Sequence, residues 1–274
     1  MKKRILQVSG EHVALFEGGV HGPALFLLHG NGSSHQSFQR QWDSTLGKRY
    51  HFVTMDLPGH GQSDNAIDPP HRYCLKGYTA LIHAVLEALG DRTWTFVGHS
   101  LGGHILLETL ADREPDRVAG LMLIGAPPLR SANDLLAAYP PSPVENPVNQ
   151  GASFEEKLLL AARHQVAKTS CVPPFFMADL QRADPRARKE LEQAVISGGL
   201  ANEVNMLKRI QKPVAIVAGT EEKVVGLDYL TPLCDSLDLW GGGLLRIDGA
   251  GHWPHWEQPD LFNPLLARFV DAVA

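Results

Sequence analysis

Ser100 lies in Gly98-His99-Ser100-Leu101-Gly102-Gly103, a G-x-S-x-G run. A serine hydroxyl becomes a useful nucleophile only when a base takes its proton and an acid orients that base. This serine has the context such chemistry needs. An apolar, strand-like run (residues 94–97) precedes it and a helix-like run (residues 101–113) follows it. The glycines leave room for a sharp strand-to-helix turn that stands the hydroxyl clear of a sheet. The N–H of Leu101 then faces the same space from a helix N-terminus, where backbone donors and the helix dipole favour negative charge. The chemistry implied is acyl transfer.

The base expected is His252, in Asp248-Gly249-Ala250-Gly251-His252-Trp253. With 13 histidines in the chain, one alone says little. His252 stands out because it follows a strand-like run on a Gly-Ala-Gly loop and comes last in the order serine, acid, histidine. The acid should follow the strand at residues 213–218, where the loop reads Gly219-Thr220-Glu221-Glu222-Lys223 and holds no aspartate. Glu222 is the candidate, with Glu221 as the fallback. A glutamate can fix the imidazole tautomer and stabilise the imidazolium as an aspartate does. Asp228 falls in the helix that follows, and Asp248 is too close in sequence to His252 to reach around it. The second donor for an oxyanion should come from His29-Gly30-Asn31-Gly32-Ser33-Ser34. The N–H groups of Asn31 and Leu101 would form the oxyanion hole, where one donor is worth ~3 kcal/mol. His29 reads as a brace for that loop.

These residues need a scaffold that ends several strands at one edge. Short apolar runs alternate with helix-like segments over the first two thirds of the chain, the pattern of a largely parallel α/β sheet. Strands are expected at residues 3–8, 13–17, 24–29, 51–56, 94–97 and 118–124, with helices at 75–89 and 101–113. The run 24–29 (ALFLLH) is apolar throughout, as suits a central strand buried on both faces. Residues 126–149 break the alternation with repeated prolines. Ser153 and Glu156 form a capping box before a helix at 157–168. Asp184-Pro185 marks another helix start, and Gly198-Gly199 its end. Strands return at 213–218 and 244–247, before a last helix at 259–273. Residues 127–208 therefore read as a helical cap inserted into a core made of residues 1–126 and 209–274. Long insertions of this kind are usually functional lids.

The 274 residues are 44% hydrophobic and 20% charged, which excludes disorder and fibrous repeats for the chain as a whole. A net charge of −5 offers no general attraction for nucleic acid. Cys74, Cys171 and Cys234 are too few and too far apart for a disulfide framework, which points to reduced thiols and a cytoplasmic protein. The basic start Met1-Lys2-Lys3-Arg4 is followed by Glu11 and His12 before any apolar run of signal-peptide length. No apolar stretch is long enough to span a membrane. No HExxH or HxHxDH run occurs, so no metal is expected. His252 and His255 lack a companion carboxylate cluster. Neither G-x-G-x-x-G nor G-x-x-x-x-G-K-[ST] is present, so no nucleotide cofactor is expected. The expected partner is a small ester or lactone, with no nucleic acid and no membrane.

In order along the chain, His29-Gly30-Asn31, the turn Asp56-Leu57-Pro58-Gly59-His60-Gly61-Gln62-Ser63, the run Gly98–Gly103 and Gly251-His252 resemble the α/β-hydrolase superfamily. That resemblance implies an eight-stranded, mostly parallel sheet with a helical cap after the sixth strand. A narrower resemblance is to the serine-dependent N-acyl-homoserine lactone lactonases, which are quorum-quenching enzymes. It rests on His29–Ser34, Asp64-Asn65-Ala66-Ile67-Asp68-Pro69, Ser100-Leu101-Gly102-Gly103-His104-Ile105, Gly125-Ala126-Pro127-Pro128, Thr169-Ser170-Cys171 with Pro174-Phe175, and Asp184-Pro185-Arg186-Ala187-Arg188. That group is similar in placing a glutamate where Glu222 stands, and the resemblance implies lactone hydrolysis. Where the group has a cap tyrosine that contacts substrate, this chain has Val166. Ser100 in place of an aspartate argues against epoxide hydrolase and dehalogenase chemistry. A carboxylesterase, a carbon–carbon bond hydrolase, a cofactor-free non-hydrolytic member and a ligand receptor stay open beside the lactonase reading.

Overall fold

The computed structural model describes residues 1–112, 117–143 and 151–274. Eight strands form one sheet: β1 (Lys2–Val8), β2 (Glu11–Gly19), β3 (Ala24–Leu28), β4 (His51–Met55), β5 (Trp94–His99), β6 (Val118–Ile124), β7 (Val214–Gly219) and β8 (Leu244–Ile247). Their spatial order is β1-β2-β4-β3-β5-β6-β7-β8. β1 and β2 pair antiparallel with their neighbours, and the rest are parallel. All five residues of β3 are buried, as its unbroken apolar run demands.

Helices cover both faces. Before β6 come α1 (Gln39–Trp42), α2 (Pro69–Arg72), α3 (Leu75–Ala88) and α4 (Leu101–Asp112). Between β6 and β7 lie α5 (Leu135–Ala138), α6 (Phe154–His164), α7 (Phe176–Arg182), α8 (Pro185–Ala194) and α9 (Glu203–Leu207). After β7 come α10 (Leu227–Asp235), α11 (Pro254–Glu257) and α12 (Pro259–Val273). One apolar core joins the sheet to α3 and α4, with Phe26, Phe96, Ile105 and Leu121 at its centre. A second packs Leu27, Val97 and Val217 against Phe262, Phe269 and Val270 of α12. A smaller third core joins Ala162, Val166 and Phe176 to Trp253 and Trp256. The insertion after the sixth strand is helical, as the alternation break predicts.

Most expected elements form within a residue or two of their predicted bounds. β2 is longer than predicted because both ends pair, with β1 along one edge and β4 along the other. The capping box of Ser153 and Glu156 is present, yet α6 starts at Phe154 and stops at His164 rather than spanning 157–168. Asp184 caps α8 by accepting the N–H of Arg186, with Pro185 in the first turn. α8 ends at Ala194, and a wider turn at Val195–Gly199 carries the chain to Gly198-Gly199. The predicted end of α4 at Arg113, and residues 144–149 of the proline-rich stretch, lie outside the described residues. Among the described residues no helix is long and apolar enough to cross a membrane.

Because β3, β5, β7 and β8 run parallel, their C-terminal ends meet at one edge of the sheet. Leu28 pairs with Gly98, and Gly219 with Ile247. Four loops therefore open side by side, and ligands of parallel α/β sheets bind at such edges.

Candidate active site

Ser100 sits between β5 and α4 with φ +51, one of two non-glycine residues with positive φ among the described residues. An L-residue held there is strained. The turn that holds it is tight. Ser100 N–H donates to Ile124 O at 2.8 Å, and Gly103 N–H donates to Ser100 O at 2.8 Å. A side chain on Gly102 would overlap the carbonyl oxygens of Leu28 and His29, so α4 begins directly against the end of β3. Ser100 remains half-buried and accessible.

His252 and Glu222 meet over this edge. His252 Nδ1–H donates to Glu222 Oε2 at 2.8 Å, with their side chains 2% and 0% exposed. The other oxygen, Oε1, accepts the N–H groups of Lys223 (2.9 Å), Val224 (2.8 Å) and Val225 (3.2 Å). Burial alone would push the Glu222 carboxyl up. His252 and the N–H groups of Val224 and Val225 outweigh it and hold the carboxyl below its ordinary value. Glu221 is at the surface. Asp228 lies in the first turn of α10. The structure thus brings together the histidine and the first-choice acid, but not the fallback.

Of the expected oxyanion residues, Leu101 follows Ser100 directly, and Asn31 follows Gly30, where an added Cβ would lie 3.0 Å from Ser100 Cβ. Leu101 opens α4. Asn31 is half-buried on the β3 loop, with Oδ1 3.3 Å from His60 Nε2. His29 braces this loop: its Nδ1–H donates to Gly30 O at 2.7 Å and its Nε2 accepts Leu57 N–H at 3.0 Å. Full burial, with His60 close by, lowers its pKa to about 3, so the ring is neutral.

A second buried His–Glu pair lies one turn along α4. His104 Nδ1–H donates to Glu203 Oε1 at 2.7 Å. Burial opposes charge on this imidazole, but Glu203 raises its pKa overall. His104 Nε2 is taken up by the Tyr139 hydroxyl at 2.6 Å, which leaves no ring nitrogen for Ser100. This pair joins α4 to α9 and α5 and is not a second triad.

Sequence reasoning missed residues around His252. His99, the variable residue before Ser100, donates Nε2–H to His252 O at 2.9 Å. Gln165 O accepts His252 N–H at 2.8 Å. Glu257 accepts three backbone N–H groups on either side of His252 and from the insertion. None of these has a local signature. Val166 is 1% exposed and packs with Trp253 and Phe176, so its side chain belongs to a core. Phe176 is likewise core, and Phe154 is 71% exposed. The groove at Leu207–Val214 and Ser236–Trp240 opens at the N-terminal end of β7, away from Glu222, and carries none of this chemistry.

Residues 23–259 match the family described as alpha/beta hydrolase fold. Among solved structures, N-acyl homoserine lactonase AidH complexed with N-butanoyl homoserine is 33% identical, with a TM-score of 0.87 over 98% of this chain and 96% of that one. An AidH variant complexed with N-hexanoyl homoserine lactone is 32% identical, with the same TM-score, over 98% of this chain and 97% of that one. The curated 2-hydroxy-6-oxononadienedioate/2-hydroxy-6-oxononatrienedioate hydrolase of Paraburkholderia phymatum is 26% identical over 92% of this chain and 88% of that one. A match over most of the chain, on a sheet of this order, places the protein in the α/β-hydrolase fold family.

Proposed function

We propose that this protein is a serine hydrolase that opens the lactone ring of N-acyl-homoserine lactones through Ser100, His252 and Glu222. The observation that carries the substrate class is the likeness to AidH over nearly the whole of both chains. The geometry of the site supports the chemistry. Ser100 Oγ attacks the lactone carbonyl while His252 takes its proton. The oxyanion is held by the N–H groups of Asn31 and Leu101. His252 then protonates the ring oxygen, which leaves but stays tethered as the hydroxyl of the homoserine. Water activated by His252 attacks the acyl-enzyme and releases the N-acyl-homoserine. Glu222 fixes His252 with its proton on Nδ1 and stabilises the imidazolium. No cofactor or metal enters any step. Residues 1–126 and 209–274 form the hydrolase core, residues 127–208 act as its cap, and the enzyme works in the cytoplasm.

A second reading is a carboxylesterase or carbon–carbon bond hydrolase on another small substrate, and the likeness to the curated 2-hydroxy-6-oxononadienedioate hydrolase of P. phymatum speaks for a hydrolase whose substrate is not a lactone. Its lower identity puts it second. A pH-stat assay on short- and long-chain acyl-homoserine lactones separates the two. p-Nitrophenyl esters, a chelator and the Ser100→Ala variant run in parallel. Acid release from lactones that survives the chelator and is lost with Ser100 supports the lactonase. Turnover of esters beside inert lactones overturns the substrate assignment and leaves an esterase.

A further inference from the structure

Glu257 is 8% exposed and ends α11, five residues after His252. Its Oε1 accepts Gly251 N–H at 2.8 Å and Trp253 N–H at 3.3 Å, the residues immediately before and after His252. Its Oε2 accepts Ala167 N–H at 2.7 Å, from the insertion. One buried carboxylate therefore grips both sides of His252 and ties them to the cap.

The cap answers with three consecutive residues. Gln165 O accepts the N–H of His252 itself at 2.8 Å. Gln165 Oε1 accepts Trp253 Nε1–H at 2.9 Å. Val166 O and Ala167 O accept the ammonium of Lys223, next to Glu222, at 2.9 and 3.3 Å. The approach is close enough that a side chain on Gly251 would come within 2.7 Å of Ala167 N and 2.8 Å of Val166 C. Below this seam, Val166 and Phe176 pack on Trp253, with the rings of Phe176 and Trp253 4.7 Å apart.

We propose that Glu257 is a positioning residue for His252, and that the cap segment Gln165–Ala167 is the other half of the mount that aims this base at Ser100. The inference rests on the reading of His252 as the base. It makes this stretch of the cap a fixed strut of the catalytic machinery. A carboxylate suits the task because it offers two acceptor oxygens and no donor, and every partner here is an N–H. Glutamine has the same shape but only one acceptor oxygen. With that oxygen kept on Gly251 and Trp253, its amide N–H2 would face Ala167 N–H, and the tie to the cap would be lost. Alanine would release all three N–H groups. Small misplacements of a catalytic group cost as much as ~10²-fold in rate.

The test is the rate at which a fluorophosphonate probe inactivates the full-length protein, which reads activation of Ser100 without depending on the natural substrate. Glu257→Gln, Glu257→Ala and His252→Ala are compared with wild type, and each is checked for folding by near-UV circular dichroism. The expected loss is about tenfold for Glu257→Gln and about a hundredfold for Glu257→Ala. On whichever substrate turns over, kcat falls with KM held. The far-downfield proton resonance of the His252–Glu222 hydrogen bond weakens in the same order. A merely structural role would lower the melting temperature and leave all three readouts in place. Wild-type inactivation by folded Glu257→Ala overturns the proposal. Should that variant not fold, wild-type inactivation by Glu257→Gln overturns it equally. Wild-type inactivation by His252→Ala would overturn instead the reading on which the proposal rests.

Discussion

Ser34, three residues beyond Asn31, donates its hydroxyl to the buried Asp179 of α7 across 2.6 Å. The insertion thus holds the loop that carries one proposed oxyanion donor, as well as the loop that carries His252. Burial pushes the Asp179 carboxyl up to about 6, partly offset by the Ser34 bond. Asparagine keeps an oxygen that can accept from Ser34, whereas leucine leaves the buried O–H without its acceptor, although Ser34 Oγ still accepts the Gln36 N–H, at a cost of ~1–3 kcal/mol. Asp179→Asn should stay near wild type in melting temperature and kcat, and Asp179→Leu should lose both, with kcat down about tenfold. Equal behaviour of the two variants would show that the bond does not set the loop.

The strain at Ser100 yields a stability prediction. Glycine accepts φ +51 at no steric cost, and alanine does not. Both Ser100→Gly and Ser100→Ala should abolish lactone opening. The glycine variant should be the more stable by about 1 kcal/mol, read by calorimetry. A lower melting temperature for glycine would mean the turn carries no strain.

Glu222→Gln should be nearly as damaging as removing the side chain. Oε1 is committed to three backbone N–H groups, so the amide N–H2 of glutamine would face His252 Nδ1. Two donors cannot meet there, and the imidazole would be driven to the wrong tautomer. A loss in kcat of order 10⁴ is expected, with the fold retained. A loss under tenfold would remove Glu222 from the triad.

The face of α4 behind Ser100 predicts a pH dependence of stability. Burial, reinforced by Glu203, raises the Glu108 carboxyl to about 7 from an ordinary 4.5. Between those values the folded chain holds a proton that the unfolded chain has released, so this group makes stability fall as pH rises. The loss is complete above pH 7 and amounts to at most about 3 kcal/mol. His104, also raised, continues the same trend above its unfolded value. The depressed carboxyls of Asp56 and Glu222 and the buried neutral rings of His29 and His255 act with opposite sign, but they are common to wild type and a Glu108 variant and cancel in the comparison of the two. Denaturant unfolding of wild type and Glu108→Gln from pH 4.5 to 8 tests this. The variant should gain on wild type as pH rises, and a constant difference would refute it.

Ser100, Glu222 and His252 were legible because each sits just past a strand, and the strands announce themselves as local apolar runs. The same locality let Asp184-Pro185 mark the start of α8. What was not legible depends on pairings across the chain. Ser34 and Asp179 are 145 residues apart, and Ala167 and Glu257 are 90 apart. Nothing near Glu257 in sequence separates it from an ordinary helix-start acid. The early end of α6 has the same origin. Gln165–Ala167 read as helix, but their backbone groups are drawn off to His252, Lys223 and Glu257. At Val166, where the lactonase resemblance implies a substrate-contacting tyrosine, only packing reveals that the side chain is core.

The central claim is that Ser100 carries the acyl group. The direct measurement is acid quench of the protein mixed with N-hexanoyl homoserine lactone, followed by peptide mass spectrometry. The account predicts an adduct equal in mass to one lactone on the peptide holding Ser100. The adduct and turnover should both be absent in a folded Ser100→Ala variant. Lactone turnover by that variant, or an adduct on another residue, would contradict it.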